Sequence, residues 1–352
     1  MELSPEMIGR LDRRRVMLVG QFGPGALERS YRSAFQSLGW EVSSFDIKQA
    51  IDRHCRFGRW GKQINRFVPV DAWIRKGNRE LVAESIAFQP DYVLTFGHYQ
   101  IEPGALAQIR ATTKSLLVHV WPDTLLNLTK SLVACLPLFD LLATYSRSTI
   151  ESLERLGARR VVWVPLASDP SMCPQASDAD STKVGGADVT FIGGWRPERE
   201  AILSTLGQFD LKIWGPDWGR RCKNNPMILK SWQGRGLYES EFAECVERSK
   251  INLNVIDPLN FPAANMRFFE VPAWGGLQVS STCPEMEQEF IHGEHIFYYK
   301  DADDLHELIP QLLQDHSLRD KVAKASQMKI LAEHTYENRI TSILRQLENG
   351  QN

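Results

Sequence analysis

The 352-residue sequence predicts an α/β protein built from two doubly wound, parallel-sheet domains in tandem. Three observations carry that prediction. The chain is too long for most single cores and suits two domains of ~150–180 residues each. Short apolar runs, several closed by glycine, alternate with helical stretches, as strands do when crossover helices join them. The alternation breaks once, in a Ser-, Asp- and Gly-rich stretch at 171–187, and then restarts.

In the first half, Val16-Met17-Leu18-Val19-Gly20 is a strand-like run, and a loop with Gly23 and Gly25 leads into a helical stretch at 26–38. Further strands are expected at 41–45, 91–96, 115–121, 138–144 and 160–164, with helical segments between most of them. The loop glycines at 20, 23 and 25 do not keep the spacing of a dinucleotide fingerprint, so a dehydrogenase is rejected. After the linker, strands are expected at 188–192, 211–214, 251–256, 277–280 and 296–299. Gly193-Gly194 closes the first of these and opens a helix at 198–206, and Gly215 closes the second. The tail from 318 onward is helical, its last part crossing back to the first domain. The expected parts are 1–170, a linker at 171–187, a second domain at 188–335 and a returning helix at 336–352. Two such domains leave one obvious ligand site, the cleft between them.

Composition narrows the function classes. A hydrophobic fraction of 43% and a charged fraction of 24% are ordinary for a soluble globular protein. The formal net charge of −2 supplies no global field for nucleic acid, which is excluded as a partner. No apolar run approaches the ~20 residues a membrane helix needs. Met1-Glu2-Leu3-Ser4-Pro5 lacks the layout of a signal peptide. The six cysteines (Cys55, Cys135, Cys173, Cys222, Cys245, Cys283) are scattered, which speaks for reduced thiols and against zinc or disulfides. A cytoplasmic protein is expected.

The most informative stretch runs from Asn265 to Gly276 and sets Glu270 on a short helix five residues before Gly275. Beyond the carboxyl ends of parallel strands, helix N-termini and glycine turns bring backbone amides to phosphate oxygens. A carboxylate there accepts hydrogen bonds from paired sugar hydroxyls. Glu270 stands among Phe268, Phe269, Val271, Ala273 and Trp274, so it needs a polar partner, either a ribose or a salt bridge. Arg196 and Arg199 follow Gly193-Gly194, where a guanidinium can clamp phosphate oxygens. Their alternative is a solvated helix start paired with Glu198 and Glu200. Arg267 either binds phosphate or tethers Glu270, and Asn265 contacts donor or backbone. Pro272 denies that helix an amide donor, so the helix ends or kinks there.

With these residues in place, the chain resembles the GT-B glycosyltransferases and is similar in particular to the CgeB-like, spore-maturation-protein-like group. Four stretches carry the resemblance: Phe191-Ile192-Gly193-Gly194 with Arg196 and Arg199; the strand Ser249-Lys250-Ile251-Asn252-Leu253-Asn254; the 265–276 block with Pro272; and His334-Thr335-Tyr336 with Arg339. In the first half, Tyr145-Ser146 through Leu156-Gly157 and Val164-Pro165 to Asp169 are similar to the sheet exit of these transferases. The resemblance implies a glycosyltransferase that moves a sugar from a nucleotide diphosphate sugar to an acceptor hydroxyl, with no metal and no resident cofactor. It implies that the second domain holds the donor through Gly193, Gly194, Arg196, Arg199, Gly215, Arg235, Asn254, Asn265, Arg267, Glu270, Gly275 and Gly276. One departure stands out. Many retaining GT-B enzymes carry a second glutamate eight residues before the ribose-binding one, where this chain has Pro262. The CgeB-like group tends to lack it too, which removes the usual handle on donor sugar and stereochemistry.

The general base is expected from the first domain, at the carboxyl end of a strand. His98 follows Phe96-Gly97, and Asp123 stands in the Trp121-Pro122-Asp123 turn, where it is alternatively a turn-capping residue. His119, inside its strand, reads as a core histidine. Residues 53–79 hold eight Lys or Arg against one acidic residue, Asp71. Arg56, Arg59, Lys62 and Arg66 have helical spacing beside Phe57, Trp60, Ile64 and Phe67, although Gly58 and Gly61 weaken that helix. Such a segment rests on anionic lipid, a peripheral membrane contact, or holds an anionic acceptor. Its plainer alternative is a helix packed on its domain with a solvated basic face. The acceptor stays open among glycan, lipid-linked glycan, protein and small molecule. Two other functions stay open as well: a binding module of the same fold without turnover, and a sugar-nucleotide epimerase.

Overall fold

The computed structural model describes residues 14–56, 58–97, 100–172 and 186–349, without the side chains of Ile64 and Arg66. His98 and most of the expected linker lie outside the described residues. The chain divides into two compact units, one running to Val164 and taking in the chain from Arg339 onward, the other Pro165–Asn338. The C-terminal helix Tyr336–Asn349 therefore begins in the second unit and belongs mostly to the first.

The first unit is a parallel sheet of β1 (Arg15–Gly20), β2 (Glu41–Asp46), β3 (Tyr92–Phe96), β4 (Leu116–Trp121), β5 (Leu141–Thr144) and β6 (Val161–Trp163). Its order is β2-β1-β3-β4-β5-β6. Val16 to Val19 are fully buried, as helices on both faces of a parallel sheet require, which is why β1 reads as an unbroken apolar run. The edge strand β2 instead exposes Glu41 and Ser44, which blunts an otherwise open edge. The strand expected from 138 starts only at Leu141. Pro137 lacks an amide hydrogen and lies in a short 3-10 turn, Leu136–Leu138, that delivers Phe139 into the core.

The second unit is a parallel sheet of β7 (Val189–Ile192), β8 (Leu211–Trp214), β9 (Ile251–Asn254), β10 (Gln278–Ser281) and β11 (Phe297–Tyr299). Its order is β11-β10-β9-β7-β8. β9 ends two residues before its expected limit because Ile256 N–H leaves the ladder for Ser281 Oγ at 3.0 Å. In both sheets the second strand flanks the first on one side and the third on the other. That reversal opens a crevice at the carboxyl ends of β1 and β3, and of β7 and β9, where open α/β sheets bind ligands. No described helix is long and apolar enough to cross a membrane.

Candidate functional site

The 265–276 block is anchored at the end of β9. Asn265 caps the helix Met266–Ala273 by accepting from Phe268 N–H at 3.1 Å. Its side chain also exchanges amide hydrogen bonds with Asn254 in both directions, at 3.0 and 2.9 Å. Asn254 and Asn265 are thus occupied in joining the strand end to the helix start. At the far end, Gly276 N–H donates to Val271 O at 3.1 Å and Gly275 N–H to Pro272 O at 2.9 Å. With Gly275 at φ 77°, this is a complete Schellman cap. The expectation that the Gly275 and Gly276 amides serve a phosphate is corrected here, since both already satisfy carbonyls of their own helix. Gly276 is also a close-approach glycine: a Cβ would meet Val246 Cγ1 at 2.4 Å. Pro272 falls in the last turn, where the helix is stopping, so its missing amide interrupts little.

This frame aims Glu270 and Arg267 from the helix. They form an ion pair, and among the described residues Arg267 is the recorded partner of the Glu270 carboxylate. Arg267 also donates from Nε to Ile192 O at 3.3 Å, tying the helix to the end of β7. Its guanidinium lies 4.2 Å from the Phe242 ring centroid, where the ring face favours a cation. From the helix after β7, Arg199 donates to Val255 O at 3.2 Å and Gly194 O at 2.8 Å. Burial presses the Arg199 pKa down, Asp257 opposes that, and Arg196 and Arg267 press it further, so the three guanidiniums share one neighbourhood. Arginine stays charged regardless. Arg196 pairs with Asp257 at 2.9 Å. Three cations thereby face two carboxylates, Asp257 and Glu270, at the β7–β9 switch point. The helix Pro197–Ser204 opens there with no side chain capping its first turn, which leaves the positive end of its dipole toward the same place.

Glu200 is not a partner of Arg196, as the salt-bridge alternative had it. Trp195 Nε1 reaches it at 2.7 Å and Asn225 Nδ2 at 3.1 Å, and the Trp195 hydrogen bond leads in lowering its pKa. The acid that does hold Arg196, Asp257, was missed in the sequence, although its place just past β9 was the available signal.

Gly193 and Gly215 shape the floor. Gly193 N–H donates to Trp214 O at 2.8 Å, and Trp218 Nε1 holds Gly193 O at 2.9 Å. Gly215 has φ 151° and no room for a side chain, because a Cβ would meet Gly193 O at 2.0 Å. Gly194 is half-buried beside Pro216. Arg235 O accepts from Gly215 N–H at 2.9 Å, while its guanidinium forms a two-bond pair with Glu241 at 2.6 and 2.7 Å. Glu241 raises the Arg235 pKa above its ordinary value. Beside this floor, Trp214 and Trp274 each keep a buried indole N–H without a hydrogen-bond partner among the described residues. Neither was singled out as a site residue in the sequence, where an aromatic at the end of a strand or helix reads as core.

In the first unit, Asp123 behaves as a turn cap. It accepts from Thr124 N–H at 2.7 Å and from Asn127 Nδ2 at 2.6 Å, one bond to each oxygen. His119 is a core residue. It lies 2.7 Å from Thr95 Oγ1 and stacks on Trp121 and Phe139, and burial pushes its pKa down to about 3. A cavity of about 560 Å³ lies at the β11 edge and includes His292, Tyr298, Lys300 and Asp304, none of them a predicted site residue. Another of about 610 Å³ lies at the ends of β1 and β2. No group of three or more His, Cys, Asp or Glu among the described residues could hold a metal ion.

Two parallel doubly wound units with this carboxyl-edge site are the architecture of the GT-B fold, and solved structures bear that out. HepE from Anabaena, in complex with UDP-glucose, superposes with a TM-score of 0.63 at 12% identity, covering 95% of this chain and 99% of that one. Sucrose-phosphate synthase from Thermosynechococcus elongatus gives 0.68 at 13% identity, over 96% of this chain and 100% of the other. A glycosyltransferase from Rickettsia africae gives 0.65 at 12%, over 97% and 99%. In sequence, residues 196–345 match the family described as glycosyl transferase-like, a span that begins at Arg196 and holds Arg199, Asp257, Arg267 and Glu270. No curated protein matches the chain significantly.

Proposed function

We propose that the protein is a glycosyltransferase that takes a sugar from a nucleotide diphosphate sugar and passes it to an acceptor hydroxyl. The observation that carries this reading is the convergence of Arg196, Arg199 and Arg267 with Glu270 at the β7–β9 switch point, inside the span that matches glycosyl transferases. Departure of a nucleoside diphosphate builds negative charge on its phosphate oxygens. Preorganised guanidiniums and an uncapped helix start stabilise that charge as it develops, which is where catalysis gains most. The reading assigns this charge to arginines and helix dipole, with no resident metal or cofactor. Glu270 accepts the two ribose hydroxyls, and Arg267 holds its carboxylate in place. Gly193, Gly194 and Gly215 admit the diphosphate and base close to the backbone. The base lies toward Trp214 and Arg235, and Asn254, Asn265, Gly275 and Gly276 position the helix rather than touch the donor.

The acceptor proton goes to the first unit. Both Asp123 oxygens are already taken by Thr124 N–H and Asn127 Nδ2, so the reading assigns the proton to His98. His98→Gln then removes about 10²–10⁴-fold of the rate and the acid limb of the pH–rate profile. The CgeB-like affiliation belongs to this proposal and rests on the four motif stretches. So does a cytoplasmic location, supported by unpaired Cys55, Cys135, Cys222, Cys245 and Cys283.

The test is a binding panel of nucleoside diphosphates and nucleotide sugars, read by thermal shift on the wild type and Glu270→Ala in parallel. Ligand at a hundred times its dissociation constant stabilises the folded state by about 2.7 kcal/mol. A uridine donor is the first to try, because HepE is seen with UDP-glucose. No shift with any nucleotide overturns the reading. Binding without transfer or hydrolysis leaves a binding module, and conversion of the donor without acceptor leaves an epimerase.

A further inference from the structure

The proposed reaction leaves the helix Gly58–Phe67 unexplained. The described buried residues of this helix are Gly61 and Asn65. Gly61 packs so tightly that a Cβ would meet Arg56 O at 1.7 Å, and buried Asn65 accepts from Val70 N–H at 2.8 Å, turning the chain toward the next helix. Three large apolar residues of the segment are exposed. Trp60 is 79% exposed, Phe67 76% and Val68 65%. Trp60 and Phe67 are seven residues apart, about 20° from each other around the axis, and form one outward stripe. Arg59 is exposed about a quarter-turn round from this stripe and Lys62 farther round the same side, and Arg56 is exposed just before the helix.

The charges divide in a telling way. Arg53 pairs with Glu80 and Arg75 with Asp71, but Arg56, Arg59 and Lys62 form no ion pair among the described residues. In a chain of net charge −2, the unpaired cations of this segment gather beside its unpartnered aromatics. Of the plainer expectation, a helix packed on its domain with a solvated basic face, the basic residues are solvated, but Trp60 and Phe67 are solvated with them.

We propose that this helix docks the first unit on an anionic membrane surface. Tryptophan and phenylalanine at the headgroup boundary, flanked by Lys and Arg that meet anionic lipid, are what an interfacial helix needs. A second copy of the chain is the poorer occupant, because a two-fold contact brings three unpaired cations against their own equivalents. Lys62 also lines the cavity at the carboxyl ends of β1 and β2, where Lys48 and Arg53 stand with Asp46 and Asp52. Docking thereby brings that sheet edge to the headgroup layer. The docking stands on the helix alone; only its consequence, that the acceptor is met at the membrane, rests on the transferase reading.

Flotation with phosphatidylcholine vesicles, with and without phosphatidylglycerol, tests this on the full chain. The wild type floats only with phosphatidylglycerol and is released by salt. The pairs Trp60→Ser with Phe67→Ser, and Arg59→Glu with Lys62→Glu, each lower vesicle partitioning about tenfold or more. All four side chains are exposed, so thermal melting and nucleotide binding stay at wild-type values. That constancy separates a failure of docking from a failure of the donor site. Vesicle binding that either pair leaves intact, equal flotation on neutral vesicles, or lipid-free dimerisation abolished by the aromatic pair overturns the proposal.

Discussion

The two sheets share a strand order, second-first-third-fourth-fifth, yet their switch points are furnished differently. At β7 and β9, three arginines and two carboxylates come from three separate stretches and hold one another in place. At the first sheet's carboxyl edge, two acids serve local structure: past β1, Glu28 accepts from Gln21 N–H, and at the end of β2, Asp46 caps the helix Ile47–His54 by accepting from Gln49 N–H. His119, buried in the first unit, is neutral and stacked on aromatics. Topology supplies a crevice in both cases, and chemistry is added to it separately. In the second unit the charged groups are partnered with one another. The first presents exposed cations and aromatics to something outside itself.

Four measurements probe that contrast, beginning with the largest effect. Arg199→Ala lowers donor turnover by about 10²–10³-fold, as loss of a preorganised charge donor does. Arg196→Ala costs less, because 55% of its side chain is already in solvent. Equal losses at the two positions would mean that burial does not distinguish them. Next, Glu270→Ala weakens nucleoside diphosphate binding by about 10–100-fold, the value of a charged hydrogen-bonding group. Calorimetric titration reads it, and a variant that melts lower with unchanged affinity would make Glu270 a structural ion pair only.

The third measurement moves to the first unit. His119 is held neutral down to about 3, against an ordinary value of 6.5. Between those values the unfolded chain binds a proton that the folded unit refuses, so stability falls as pH drops through that window. Urea unfolding near neutrality and about two pH units lower shows the loss, and His119→Phe flattens it. Glu200 works from the other direction. Its lowered pKa contributes stability above the ordinary carboxylate range, lost as pH falls through the lowered value. The smallest effect is Asp123→Asn, which costs about 1 kcal/mol of stability as a weakened turn cap and leaves the rate near wild type. A collapse in rate instead would return Asp123 to the role of base.

Much of this was legible. All the expected strands appear because parallel strands buried on both faces must be short apolar runs, and glycine or a polar turn must end them where the chain reverses. Glu270 stood out because a carboxylate among five apolar residues demands a partner. The partners themselves were not legible. Arg196 and Asp257 are 61 residues apart, and nothing local to either names the other. Gly275 and Gly276 looked like anion-binding amides until their cap bonds to Pro272 and Val271 were seen. The amphipathic segment was legible as a pattern, but a pattern has no inside or outside.

By itself the sequence determined two parallel α/β units, their strand positions, the helix that bears Glu270, and the arginine loop after β7. These follow from periodicity and turn chemistry, which act over a few residues. Only the tertiary structure decided that Asn254 and Asn265 hold each other, that Asp257 rather than Glu200 holds Arg196, and that Trp60 and Phe67 face solvent. Those outcomes depend on which distant surfaces meet and which side chains are left without a neighbour, and that is settled by packing rather than by spacing along the chain.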